Sequence, residues 1–449
     1  MSTPHVIAAS APPPLVPVAS NDALWLQDSG TNLMLIQAVY IIDRITAEDL
    51  RGIFKERVLD LDGGRRYPRF ELKVVRRRGR YYWQKDPEFS LDRHILPAPE
   101  SGIHTREALE DYVGRMADRP LPEDRPRWQL LVLEDFTETT SVIFARVHHC
   151  MGDGVALIPV IFSLMDEIEL GKGRPSPDHA KTAKALSRWA TMVKAPLAGP
   201  LILARKMLWR PDRSAAHGPK LSGTKRVAWT DPVDFEVVRE IKNRFRATVN
   251  DVLMACVAGA FSRYLEETDG GTVSQIRLSM PVNVRSPHET PRMENKFAAV
   301  LLELPVGIRD VRQRLHEVKR RMDALKRSVE PIATYGIAYV MLKALPLKLS
   351  GKIIDFLANK CTAVVTNVPG PPHDLYIGGR KLHNLIFWVP QRADIGIGIS
   401  ILSFAGTVRV GIYTDVELIP EPTRLAKAFE DEFSALHARA LEEAETAAG

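Results

Sequence analysis

The stretch SVIFARVHHCMGDGVALIPVIFSLMDEIE, beginning at Ser141, restricts the fold more than any other part of the chain. A run rich in β-branched and apolar residues reads as a strand, and the run GVALIPVIFSLMDEIE reads as a helix. Between them Gly152 and Gly154 flank Asp153, and glycine allows the tight backbone turn that joins the two elements. Asp153 is placed to accept hydrogen bonds from the first free amides of the helix. A strand that feeds directly into an apolar helix needs a sheet with helices packed on it, so the expected class is α/β.

The same pattern recurs on both sides of this unit. LMLIQAVYII, FELKVV and WQLLVLEDF read as strands, and TAEDLRGIFKERVLDL and TREALEDYVGRMADRPL as helices. After residue 223, TVNDVLMACVAGAFSRYLEE is apolar on nearly every side, as a helix between layers must be, and Thr248 with Asp251 forms a capping-box pattern at its start. IRLSMPVNVRS alternates as a strand, RDVRQRLHEVKRRMDALKRS is a charged amphipathic helix, and IGIGISILSFAGTVRVGIYTD predicts a hairpin turning at Ala405-Gly406. The 449 residues exceed one ordinary core. The expected layout is a flexible arm over 1–20, a domain over 21–170, a basic helical linker over 171–223 and a second domain over 224–449, with a site in the cleft between the domains.

Composition narrows the function classes. The net charge of +6 suits an anionic partner, such as a phosphorylated cosubstrate or an acidic membrane surface. The densest basic run, Arg76-Arg77-Arg78-Gly79-Arg80, lies between two strand patterns and reads as a solvated hairpin turn, so no nucleic-acid partner is expected. Three widely spaced cysteines, Cys150, Cys256 and Cys361, argue against a disulfide framework or a metal cluster and favour a reducing compartment. The first residues lack the basic start of a signal peptide, and no apolar run reaches the roughly 20 residues of a membrane span.

The chemistry centres on His148 and His149. Strand alternation sends adjacent side chains to opposite faces, so the two imidazoles are expected to diverge and not to serve one substrate or one metal together. His149, at the strand end where the chain leaves the sheet, is the expected proton acceptor. Cys150 beside it would diverge as well and is not expected to act as a nucleophile. G-x-S-x-G, Walker, G-x-G-x-x-G and H-E-x-x-H patterns are absent from the sequence.

The spacing His148-His149-x-x-x-Asp153-Gly154 resembles the signature of coenzyme-A-dependent acyltransferases. FSLDRHILPAPESG, RPLPEDRPRWQLLVLE, MPVNVRS, ENKFAAVLLELPVG and TNVPGPPHDLYIGGRKL follow collinearly, and the whole resembles the bacterial wax ester synthase/acyl-CoA:diacylglycerol acyltransferase family. The resemblance implies two chloramphenicol-acetyltransferase-like domains with mixed sheets and an active site in a tunnel between them. It implies His149 as general base, with His148, Asp153 and Gly154 in support and no permanently bound cofactor or metal. Acyl-CoA would be the cosubstrate and a long-chain alcohol or diacylglycerol the acceptor. In related folds the aspartate holds an arginine, for which Arg69 and Arg285 are both candidates. Asn283 and Asn367 are candidates for holding substrate or oxyanion, against a reading as turn residues. The family's Pro-Leu-Trp is Pro126-Arg127-Trp128 here, which leaves the role of that leucine open.

Such substrates dissolve in bilayers, so the resemblance also implies a cytoplasmic enzyme peripherally bound to a membrane or lipid-droplet surface. LSRWATMVKAPLAGPLILARKMLWR in the linker mixes Trp189, Leu197, Leu201, Leu208 and Trp209 with Arg205, Lys206 and Arg210, as interfacial segments do. The alternative is a linker packed on its own domains. Two other functions stay open on sequence alone, transfer to a different alcohol within the same fold, and lipid binding without turnover.

Overall fold

A computed structural model describes residues 14–60, 67–166, 199–286, 289 and 292–448. In chain order its strands are β1 (Val16–Pro17), β2 (Leu35–Asp43), β3 (Leu72–Arg77), β4 (Arg80–Lys85), β5 (Ile95–Pro97), β6 (Trp128–Leu133), β7 (Thr140–His148), β8 (Lys225–Trp229), β9 (Val233–Asp234), β10 (Ile276–Asn283), β11 (Phe297–Leu304), β12 (Ala363–Pro369), β13 (Leu375–Ile377), β14 (Arg380–Trp388), β15 (Ile397–Phe404) and β16 (Thr407–Asp415). Its helices are α1 (Ser20–Ala23), α2 (Ala47–Phe54), α3 (Arg106–Ala117), α4 (Gly154–Leu164), α5 (199–208), α6 (Phe235–Arg244), α7 (Val249–Asp269), α8 (Val311–Arg327), α9 (Glu330–Ala344), α10 (Leu347–Ala358) and α11 (Pro422–Ala448).

Two large mixed sheets carry the α/β fold. The first runs β13-β14-β2-β7-β6-β5, antiparallel except for the parallel pair β5 and β6. The second runs β11-β10-β12-β15-β16-β8, with β12 parallel to both neighbours and β9 also pairing with β16. The basic run is indeed a turn, joining β3 to β4, with Arg78 and Gly79 both at positive φ. The second hairpin turns at Ala405-Gly406, as the sequence indicates.

The linear division at residue 224 is crossed in space. β13 and β14, from the C-terminal half, complete the first sheet through the pairing of β14 with β2. The N-terminal segment is also less free than its composition suggests, since β1 pairs with β4 at Val16–Trp83 and the chain enters α1 at Ser20. Proline suits that edge position because no ladder amide is asked of it.

β7 lies inside the first sheet, between β2 and β6, and both its faces are covered. Val142 and Phe144 join a cluster with Tyr112 of α3 and Trp229 and Tyr413 of the second sheet, while Ile143 and Ala145 join one with Phe54 and Trp128. Burial of Val142, Ile143 and Phe144 stabilises the fold by about 1.5–3 kcal/mol for each, so the strand's register is strongly held. Arg146 is the buried charge of the strand, at 2% exposure. Its guanidinium donates to the carbonyls of Met116 and Arg119 at the end of α3, which satisfies groups the helix leaves free, and burial pushes its pKa down to about 10.

The two histidines differ from the expectation of a continuous strand. β7 ends at His148, and His149 begins a single 3-10 turn, His149–Met151. Pairing of Leu35 with His148 is the last ladder step, after which the His149 amide donates to the Met34 carbonyl at 2.7 Å. The side chains therefore part because the strand stops between them. Gly152 closes the turn at φ 155°, a conformation that strains any L side chain, and a Cβ there would stand 3.1 Å from that of Ala156, a tight approach.

Candidate active site

Asp153 caps α4 and ties it to the other half of the chain. Its Oδ1 accepts from the Ala156 amide at 2.9 Å, and its Oδ2 accepts from the Lys296 amide at 2.8 Å and pairs with Arg285 Nη1 at 2.9 Å. Both side chains are nearly buried, at 7% and 2% exposure. With both oxygens so occupied, Asp153 braces the turn and has no hydrogen bond to His149 among the described residues. Of the two arginines, Arg285 holds Asp153. Arg69 does not, because it is drawn to Asp22 at 2.7 Å and to the carbonyls of Cys150 and Met151.

His148 is fully enclosed. Its Nδ1 accepts from the Cys150 amide at 3.1 Å, which places the ring proton on Nε2, facing Asp28 at 3.4 Å. Burial disfavours a second proton on this ring and Asp28 favours one. The Cys150 amide holds the ring against the backbone of the turn. His148 thus supports the turn.

His149, the next residue along the chain, occupies a different environment. Trp25 stacks on its ring at 4.0 Å with 17° between planes, and Phe297 lies 5.9 Å away on a tilt. The residue is 8% exposed, and its Nδ1 is buried without a hydrogen-bond partner among the described residues. Burial pulls its pKa down to about 4 against the attraction of Asp153, so the ring is neutral at pH 7 and able to take a proton. Asn295 fixes its backbone, donating from Nδ2 to the His149 carbonyl at 2.8 Å and to Asp22 at 2.9 Å. Asp22, at 0% exposure, also accepts from the Asn295 amide and from Arg69, so three segments far apart in sequence meet behind the histidine.

Residues 19–201 match the wax ester synthase/diacylglycerol acyltransferase catalytic domain, and residues 293–437 match the C-terminal domain of the same family. This chain belongs to the wax ester synthase/diacylglycerol acyltransferase family. Membership makes it an acyltransferase. It is similar to a probable diacylglycerol O-acyltransferase of Mycobacterium tuberculosis, 26% identical over 379 residues that cover 78% of this chain and 80% of that protein. Its fold is similar to the wax ester synthase/diacylglycerol acyltransferase of Marinobacter aquaeolei VT8, with a TM-score of 0.68 at 18% identity over 95% of this chain and 99% of that one. It is also similar to the starter condensation domain of rhizomide synthetase RzmA, solved as a mutant in complex with C8-CoA and Leu-SNAC. There the TM-score is 0.58 at 13% identity over 95% of this chain and 94% of that one.

Within the family frame, the remaining expected residues do not gather at His149. Asn283 is exposed and its Oδ1 accepts from the Arg285 amide at 3.1 Å, which is turn chemistry. Asn367 donates to Asn250 on α7. Neither hydrogen-bonds to His149 among the described residues. Arg127 pairs with Glu123 at 3.0 Å, and its carbonyl accepts from the His148 amide at 3.0 Å, so the position serves the strand end through its backbone whatever side chain it carries. The residues that do meet His149 and were not singled out by sequence are Trp25, Asn295 and Phe297, with Asp22 behind Asn295. Asn295 and Phe297 lie in the family-like stretch ENKFAAVLLELPVG, which was the available signal, whereas nothing local distinguishes Trp25. Among the described residues no cluster of His, Cys, Asp or Glu is arranged to hold a metal ion.

Proposed function

We propose that the chain transfers a long-chain acyl group from acyl-CoA to a fatty alcohol, to diacylglycerol or to both, giving wax ester and triacylglycerol. The observation that carries this reading is His149, buried and neutral beneath Trp25, in a chain of this family. Nε2 takes the proton of the acceptor hydroxyl as its oxygen bonds to the thioester carbonyl carbon. The carbon–sulfur bond then breaks, and the imidazolium returns the proton to the CoA sulfur, so no acyl-enzyme forms. Asp153 favours the imidazolium at a distance while Arg285 holds it in the turn. Acyl-CoA and acceptor reach the ring from opposite ends of a tunnel between the two sheets, at a cytoplasmic membrane or lipid-droplet surface.

Purified protein given palmitoyl-CoA and a long-chain alcohol should release free thiol, and His149→Ala should lower that rate by about a hundredfold or more. Thiol release that the substitution leaves unchanged would remove His149 from the mechanism. No release with any alcohol or diacylglycerol would leave a lipid-binding protein.

A further inference from the structure

All but four of the thirteen exposed large apolar side chains among the described residues fall on α5, α9, α10 and the short joint between the last two. Leu208 is 83% exposed, Leu201 74% and Val340 63%, with Leu349 and Phe356 near half. The helices form one layer. Gly199 at the start of α5 lies against Ile337 of α9, Lys206 of α5 pairs with Glu330 of α9 at 2.5 Å, and Ser350 of α10 donates to the Met341 carbonyl of α9. A concentration of this kind on one face marks an interaction surface.

Charge identifies the occupant. The acids of the layer are already neutralised, Glu330 by Lys206 and Asp355 by Arg392 at 2.7 Å. Lys343, Lys348, Lys352 and Arg205 stay exposed. Lys343 stands over the Tyr339 ring and Arg205 over Trp209, the pairing of cation and aromatic that suits a headgroup region. A second copy of the same face would set lysine against lysine about a two-fold axis.

The layer also lies one segment from the reaction. Gln27 donates to the Leu347 carbonyl at 2.9 Å, and Arg392 joins Asp355 of α10 to the Leu24 carbonyl. Between Leu24 and Gln27 is Trp25, which covers His149.

We propose that α5, α9 and α10 form the face by which the protein docks on a bilayer carrying anionic headgroups, and that apolar acceptor enters toward His149 from this side. The inference rests on the function proposed above and deepens it. The full chain is mixed with phosphatidylcholine vesicles with or without about 30% phosphatidylglycerol. It should sediment with the anionic vesicles about tenfold more strongly than with neutral ones, and less so at high salt. The triple variant Leu208→Glu, Val340→Glu, Leu349→Glu should lose about tenfold in vesicle binding. It should keep the circular dichroism of the parent, and its thiol release from hexanoyl-CoA and hexanol in vesicle-free buffer should stay within about twofold. Parent protein that ignores vesicles, or a variant that binds as the parent does, overturns the surface. So does a parent dimer in solution that the variant dissolves, which would make the face a contact between copies. Vesicle binding that responds as stated, with no thiol release from the parent on any acceptor, would sink the transferase reading and leave the surface standing.

Discussion

Two helix starts in this molecule look alike on paper and are built differently. α7 begins with Thr248, whose hydroxyl accepts from the Asp251 amide at 3.2 Å while Asp251 accepts from the Thr248 amide at 2.8 Å. Both partners are three residues apart. α4 begins with Asp153, which makes one such local bond and then draws Arg285 and the Lys296 amide from more than 130 residues away. The first is a device for starting a helix. The second fastens the end of β7 in one sheet to the loop after β10 in the other, and the candidate base sits on the fastening.

The largest way to break that contrast is Arg285→Met. It leaves a buried carboxylate without its cation, which costs about 3–5 kcal/mol when one partner of such a pair is removed. Urea unfolding should show the loss, and thiol release should fall further than stability does, because the turn that carries His149 loses its brace. A loss below about 1 kcal/mol would reduce Asp153 to an ordinary cap like that of α7.

A pH titration of stability comes next in size. His149 has its pKa pulled from 6.5 to about 4 by burial, and His94, stacked on Trp128, is likewise held at about 4. Above pH 6.5 native and unfolded chains are both neutral at these rings. Between pH 6.5 and 4 the unfolded chain binds protons that the native chain refuses, so stability falls as pH falls, by up to about 3 kcal/mol for each ring. Subtracting the curve of His149→Gln from that of the parent should isolate the share of His149. A flat difference between pH 7 and 4 would mean that the ring is solvated and ordinary.

The same contrast explains what the sequence could and could not reveal. The capping box of α7, the hairpin at Ala405-Gly406 and the cap at Asp153 are local, and each was legible from neighbours within a few residues. The α/β class followed from strand and helix periods for the same reason. The choice between Arg69 and Arg285 was not legible, since it turns on Asp22 reaching Arg69 first, across 47 residues. Nor could alternation alone show that β7 stops at His148, because that depends on the Met34 carbonyl across the sheet. The crossing of β14 into the first sheet has the same character, as a pairing between residues more than 300 apart. Trp189 and Leu197 of the interfacial stretch lie outside the described residues, while Leu201 and Leu208 of the same stretch stand out from α5.

Thr248→Ala tests the local member of the pair. It removes one cap acceptor and should cost about 1 kcal/mol, with thiol release unchanged once unfolding is allowed for. A loss of turnover beyond that would show that α7, through Asn250 and its partner Asn367, reaches the reaction after all.

The smallest effect is expected at Gly154, and it separates two reasons for a glycine. Gly152 needs its lack of a side chain for its backbone conformation, but Gly154 is the first, exposed residue of α4, and nothing lies within 4 Å of where its Cβ would stand. Gly154→Ala should therefore stabilise the chain by about 0.5 kcal/mol, through the entropy it removes from the unfolded state. If the protein gains that stability and keeps its turnover, the glycine belongs to the turn alone. If it gains stability but loses turnover with long-chain acyl-CoA, the space beside Gly154 is used by substrate, because a backbone without a Cβ allows close approach of a ligand. That outcome would set α4 apart from α7 on a second count, as a helix whose start is shaped for the reaction and not only for folding.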